Sequence, residues 1–170
     1  MKLNLGAADR RIEGFISVDI APPADKIVDL AGPWPWPDSS VEEVLALDVC
    51  EHIADGYYVT GDGWTRNVGG GRIHFMNELH RVLIPGGRAA IETPNAARGC
   101  GYFQDPTHVS PWCLSTFRYF EHGAFAHTRL AKAYGITAAF RIVSLTEHET
   151  PGECAPEKAW KIKAILECVK

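Results

Sequence analysis

The sequence predicts an α/β fold: one mostly parallel sheet with an antiparallel C-terminal hairpin and an abbreviated first crossover. Three observations carry that prediction. Short runs of β-favouring residues recur in the order strand, turn, strand, then strand, helix, strand, and the first two runs stand too close together for a full helix between them. Gly6, Asp19, Asp29, Asp48 and Pro94 close successive runs, and the carboxyl ends of strands are where ligands lie in such sheets.

The elements follow in order. Residues 2–5 form an apolar run closed by Gly6, and residues 15–19 a second, Phe-Ile-Ser-Val-Asp. Only nine residues separate Gly6 from Ile16, and Gly14 interrupts them, so no three-turn helix fits. A third strand is predicted over residues 26–30. The segment Gly32-Pro33-Trp34-Pro35-Trp36-Pro37 is a stiff connector, because alternate prolines remove amide donors and hold the backbone extended. Residues 41–48 read as a fourth strand, and residues 55–71, with six glycines, as a loop. From Arg72 apolar residues recur at intervals of three and four, the face of an amphipathic helix stopped by Pro85-Gly86-Gly87. A fifth strand is predicted at residues 88–93, and residues 115–134 as helix in two pieces divided near Gly123. Residues 140–146 and 160–169 alternate as strands, joined by the polar stretch 147–158 into a wide hairpin.

Composition narrows the function. The chain has 170 residues, 46% hydrophobic and 22% charged, the range of one globular domain spanning residues 1–170. Seventeen Lys and Arg against 21 Asp and Glu give a net charge of -4, which provides no field to attract a phosphate backbone, so no nucleic-acid partner is expected. No run of 18 apolar residues and no signal-peptide core occur; no membrane association and a cytoplasmic address are expected. Five widely spread cysteines without a Cys-x-x-Cys pair suggest neither a disulfide framework nor a common zinc motif. Oligomeric state is not encoded in any feature of the sequence.

Gly6 lets the backbone turn sharply beside a ligand, and the amides of Ala7 and Ala8 are placed to meet a carboxylate. Asp19, at the next strand tip, can accept hydrogen bonds from both hydroxyls of a ribose. In this order the strand ends, Leu47-Asp48-Val49-Cys50-Glu51-His52-Ile53, and the helix-to-turn segment Asn77-Glu78-Leu79-His80-Arg81-Val82-Leu83-Ile84-Pro85-Gly86-Gly87 resemble the class I S-adenosylmethionine-dependent methyltransferases, especially their short bacterial and phage-type members of the type 11-like group. The resemblance runs from Leu3 to Pro94 and implies a Rossmann-like sheet with S-adenosylmethionine as cofactor. It implies that Gly6, Ala7 and Ala8 face the methionine part, Asp19 the ribose and Asp29-Leu30 the adenine edge, with Ile20, Asp48, Val49 and His52 also among the cofactor-binding residues. The family's glycine motif keeps only its first glycine here, with Ala8 and Arg10 at the later positions.

Methyl transfer from a sulfonium needs alignment, exclusion of water and, for a protonated nucleophile, a base. The segment Gly101-Tyr102-Phe103-Gln104-Asp105-Pro106-Thr107-His108 follows the fifth strand and is similar to a Gln-Asp-Pro-Thr-His segment of this branch of the family. His108 is the candidate base and Asp105 its orienting partner, set against a purely structural reading in which Asp105-Pro106 makes a turn that His108 ties down. Glu51-His52 can reach the transferred methyl or cap the next segment. The spacing of Cys50, His52, Cys100, His108 and Cys113 matches no common ligand pattern, so no metal is expected. Trp34, Trp36, Tyr102, Phe103 and Trp112 are candidates for aromatic pocket walls or for the core. The acceptor is expected to be a small molecule, a sugar or a protein-linked group. Two rival readings are a degenerate binding module of the same fold, motivated by Ala8, Arg10 and the short crossover, and a nicotinamide-dependent oxidoreductase, which lacks its Gly-x-Gly-x-x-Gly pattern here.

Overall fold

The computed structural model describes residues 1–54, 57–60, 63–66, 70–124, 129, 131–150 and 158–170. Seven strands form one sheet: β1 (Lys2–Leu5), β2 (Ile16–Asp19), β3 (Lys26–Ile27), β4 (Val41–Leu47), β7 (Leu83–Gly99), β8 (Phe140–Thr150) and β9 (Ala159–Cys168). Their spatial order is β3-β2-β1-β4-β7-β9-β8. β1 pairs in parallel with β2 and β4, and β4 in parallel with β7, so the tips of β1, β2, β4 and β7 share one edge. The chain goes from β1 to β2 without a helix, as the nine-residue gap requires. Asn4 instead ties that loop down through its side-chain amide, which donates to the Arg10 carbonyl.

β9 runs antiparallel to both β7 and β8. The predicted C-terminal hairpin is therefore present, but its antiparallel strand lies inside the sheet rather than at the edge, and β8 on the outside runs parallel to β7. The burial pattern explains the order: Ile162, Ala164 and Leu166 of β9 are fully buried, whereas alternate residues of β8 face solvent.

Several boundaries differ from expectation. β3 stops at Ile27 because the following backbone turns: the Asp29 side chain accepts from the Ala31 amide and its carbonyl from Gly32. Within the expected loop at residues 55–71, a two-stranded antiparallel hairpin forms from β5 (Tyr57–Thr60) and β6 (Gly63–Arg66). Tyr-Tyr-Val-Thr is a strand-favouring run that the surrounding glycines obscured. Residues 55–56, 61–62 and 67–69 of that expected loop lie outside the described residues. The helix expected from Arg72 is α1 (Gly70–Val82), and β7 extends well past the predicted residues 88–93 in both directions. The helix expected at residues 115–134 shrinks to α2 (Leu114–Arg118) and a 3-10 turn at Ala131–Tyr134, with residues 125–128 and 130 outside the described ones. The chain leaves the helix because Phe120 and His122 bond to the backbone of Phe140 at the start of β8. Residues 151–157 of the expected β8–β9 connection are also outside the described residues.

The core is a continuous apolar cluster in which Phe75, Met76, Leu79 and Val82 of α1 cover Leu3, Leu5, Val44, Ala46 and Ile91 of the sheet. The Trp-Pro connector docks on α1. Trp34 and Trp36 are buried edge to face with centroids 6.0 Å apart, and Trp34 meets Phe75 at 5.6 Å. Prolines leave the connector few donors, so Arg81 supplies them: it donates to the carbonyls of Trp34 and Trp36, to Asp38 and, in a fork, to both oxygens of Glu78. Glu78 in turn accepts the Trp34 amide at 2.7 Å. Burial pushes the Glu78 carboxyl up, but its bonds from Arg81 and Trp34 outweigh that and hold it below the usual glutamate range. No helix among the described residues is long and apolar enough to cross a membrane.

Two predictions follow from this packing. A carboxyl with a lowered folded pKa stabilises above its unfolded value and loses that contribution as pH falls through the folded one. Urea unfolding should therefore show wild-type stability declining from about pH 4.3 downward, with a shallower decline in Glu78→Gln. At Gly71 an added Cβ would sit 1.9 Å from the Ile53 carbonyl oxygen, a backbone atom that cannot swing aside. A Gly-to-Ala change in a helix ordinarily gains about 1 kcal/mol. Here Gly71→Ala should lose about 1–3 kcal/mol in urea melts, while Gly32→Ala, whose added Cβ would make only an ordinary contact 3.6 Å from the Asp29 carbonyl oxygen, stays within about 0.5 kcal/mol.

Candidate active site

The first half of the site is the turn after β1. Gly6 adopts φ +61, and a Cβ there would lie 2.6 Å from both Cβ and Cγ2 of Val49. The glycine is thus required by the close approach of the β1 and β4 tips, a more specific demand than ligand access alone. The amides of Ala7 and Ala8 are committed within the fold. Ala7 donates to the Val18 carbonyl, and Ala8, itself in the left-handed region, donates to Asp19 Oδ2 at 2.8 Å. The carboxylate expected to meet these amides is therefore, for Ala8, one of the protein's own. Asp19 Oδ1 accepts from Ala21, which leaves further lone pairs on a half-buried carboxylate. Ile20 beside it is 69% exposed, an apolar side chain held in solvent at a strand tip. Asp29 is exposed, and Leu30 turns its side chain into the core, leaving only its backbone available.

The second half begins where β4 ends. Asp48, at φ +56, is a non-glycine residue in the left-handed region, a strained conformation that clusters at ligand sites. Its Oδ2 lies 2.5 Å from Lys161 Nζ of β9, while its Oδ1 is buried without a partner among the described residues. Burial works against the Lys161 charge, but Asp48 and Glu92 on either side hold its pKa above the ordinary lysine value. The chain then makes a 3-10 turn at Cys50–His52. Glu51 is fully buried; one oxygen accepts from the Thr93 hydroxyl at 3.0 Å and the other has no partner among the described residues. Burial, reinforced by the negative Asp48, pushes its carboxyl up to about 7.

Residues 101–112 fold over this turn. The Glu51 carbonyl accepts the amides of Val109 and Ser110, and the Cys50 carbonyl accepts the Trp112 indole. Tyr102 and His108 clasp each other: the His108 Nδ1 bonds to the Tyr102 carbonyl at 2.8 Å, and the Tyr102 hydroxyl to the His108 carbonyl at 3.1 Å. Asp105 Oδ1 accepts from the amide and hydroxyl of Thr107, and these bonds keep its pKa below the usual range. Its Oδ2 stands 3.6 Å from His108 Nε2, an electrostatic approach rather than a hydrogen bond. The structural and chemical readings of this segment thus meet in one residue: Nδ1 of His108 anchors the turn, and Nε2 is left over. The rings of His52 and His108 lie edge to face, 4.8 Å between centroids.

These groups surround a cavity of about 560 Å³ over the ends of β4 and β7, bounded by Asp48, Glu51, His52, Asp105, His108 and Lys161. The structure accordingly brings together Asp48 and His52 with Asp105 and His108, from two separate sequence segments. Gly6, Ala7, Ala8, Asp19 and Ile20 form a neighbouring rim, joined to the cavity through the Gly6–Val49 contact. Asp29 and Leu30 lie outside the cavity lining. Lys161 carried no local signal, since only the insertion of β9 beside β7 brings it to Asp48. Of the aromatic candidates, Trp34, Trp36 and Trp112 are core, Tyr102 supports His108, and Phe103 is 73% exposed.

No protein-family model matches the chain, and no curated protein matches it. Solved structures do. A SAM-dependent methyltransferase from Methanosarcina mazei superposes over 99% of this chain and 92% of its own, with a TM-score of 0.59 at 12% identity. The N-methyltransferase NodS from Bradyrhizobium japonicum does so over 99% and 85%, TM-score 0.56, at 12% identity. The 1,6-didemethyltoxoflavin-N1-methyltransferase of Burkholderia thailandensis, solved with its substrate and S-adenosylhomocysteine, covers 99% and 71%, TM-score 0.56, at 11% identity. The chain shares the fold of these S-adenosylmethionine-dependent methyltransferases.

Proposed function

We propose that this chain is an S-adenosylmethionine-dependent methyltransferase acting on a small-molecule, sugar or protein-linked acceptor. The observation that carries the reading is the polar cavity at the β4 and β7 ends, adjoining the β1–β2 tips where Asp19 is half-buried and Ile20 exposed. The shared fold supports it, as do the left-handed backbone at Ala8 and Asp48 and the unpartnered Oδ1 of Asp48. These features fit an adenosine-bearing cofactor: a carboxylate with free lone pairs for ribose hydroxyls, and an exposed aliphatic face beside it for a base.

When bound, S-adenosylmethionine supplies a methyl group already activated on a positively charged sulfur. The chain's own work is then positional. Asp19 and Ile20 hold the nucleoside end, Asp48 and Val49 mark the boundary with the acceptor cavity, and residues 101–112 roof the cavity and limit water. An acceptor heteroatom that would take that methyl would also have to give up its proton. His108 is oriented to receive it at Nε2, with Asp105 beside that nitrogen, and Glu51, titrating near neutrality, is a second receptor in the same cavity.

Calorimetry with S-adenosylmethionine should show binding to wild type that weakens at least about tenfold in Asp19→Ala, while His108→Ala stays within about twofold. No heat at millimolar cofactor would remove the reading. With an acceptor found by screening product mixtures for the mass of one added methyl, His108→Ala should lower kcat by about 10²–10⁴. An unchanged kcat would return His108 to a structural role.

A further inference from the structure

We infer that Glu51, His52 and His108 form a binding site for a divalent transition-metal ion on the floor of the acceptor cavity. One carboxylate oxygen and one nitrogen from each ring lie within 4.8 Å of one another. Neighbouring ligands at a zinc ion stand roughly 3–3.5 Å apart for bonds of about 2.0–2.2 Å, so the widest pair needs to close by up to about 1.3–1.8 Å. His52 is exposed and can make that movement.

The hydrogen bonds around the cluster select the ligand atoms. His108 spends Nδ1–H on the Tyr102 carbonyl. The Thr107 hydroxyl donates to Asp105 at 2.6 Å, so toward His52 Nδ1, 3.1 Å away, it is an acceptor, and the Thr107 carbonyl is a second acceptor at 3.3 Å. Both imidazoles therefore carry the proton on Nδ1, donated to a carbonyl or hydroxyl oxygen, and Nε2 makes no hydrogen bond among the described residues, with Asp105 Oδ2 3.6 Å from that of His108. That second shell is the one that orients metal-ligating histidines. The third ligand has an independent mark: Glu51 is 0% exposed, Thr93 satisfies one of its oxygens, and the other is buried with no partner among the described residues. An orphaned oxygen on the carboxylate that shares this cluster with two imidazoles is a cost that a cation removes.

Two imidazoles with one carboxylate suit zinc or another first-row divalent ion and disfavour magnesium or calcium, which take oxygen ligands. The three protein ligands leave coordination positions open to the cavity. A hydroxyl or thiol bound there would lose its proton to solvent near neutral pH, and with an ion in place His108 and Glu51 would be its ligands in place of proton receptors; this role, unlike the binding, rests on the methyltransferase reading.

The test is titration of chelator-dialysed full-length protein with Co²⁺ and Zn²⁺, without S-adenosylmethionine, so that failure of cofactor binding leaves the ion result standing. The expected result is one equivalent bound with a visible cobalt spectrum of nitrogen and oxygen ligation. Magnesium should not compete. Affinity should fall at least about tenfold in His52→Ala and in Glu51→Gln, and stay within about twofold in His74→Gln, which lies outside the cluster. His52 is exposed, so its variant keeps the test open if Glu51→Gln fails to fold. No binding at about 100 µM ion, a cobalt spectrum dominated by thiolate charge transfer, or affinity unchanged in His52→Ala would overturn the site.

Discussion

The burial of the Glu51 carboxylate beneath residues 101–112 is the constraint on which the rest of the site depends. A carboxyl group enclosed in protein favours its neutral form or a partner. The fold gives it one hydroxyl, from Thr93, and then closes over it with backbone bonds rather than charges. The same carbonyls that cap the 3-10 turn, those of Cys50 and Glu51, receive the overlying segment through Val109, Ser110 and Trp112. Moving that segment would expose Glu51 and release His108 together. One side of the cavity is thereby made from a single cooperative piece.

The opposite side depends on steric approach. Gly6 has no Cβ because Val49 occupies the space, and this contact brings the end of β1 against the end of β4. Asp48, adjacent to Val49, is turned into the left-handed region and pointed at Lys161 across the sheet. Farther away, the Arg81–Glu78 fork holds the proline-rich connector on α1, while Gly71 lets the start of that helix come against Ile53. Each of these is a small-residue or charge-assisted contact that fixes one element against another.

Much of this was legible in the chain. The order of strands, the missing first helix and the stiff connector followed from β-favouring runs, a nine-residue gap and alternating prolines, all local properties. Asp48, His52, Asp105 and His108 were also marked, because strand-end acids and a Gln-Asp-Pro-Thr-His segment are visible without coordinates. The hairpin at β5 and β6 was obscured because glycine content outweighed Tyr-Tyr-Val-Thr in a stretch read as loop. The interior place of β9 was hidden because alternation in a strand reports one buried face and says nothing about which neighbours it has. The length of α2 depended on Phe140, twenty residues beyond it, competing for the backbone of Phe120 and His122.

The sequence by itself determined which residues end the strands and which chemical types they bring there, since both follow from neighbours within a few positions. Tertiary structure decided what those residues face. It committed the Ala8 amide to Asp19 rather than to solvent, set Lys161 against Asp48 over 113 positions of sequence, and left one Glu51 oxygen without a partner beside two histidines. The reason is physical: hydrogen-bond satisfaction and burial are properties of the whole packed enclosure, and no residue's local propensity specifies which distant group will complete it or leave it open.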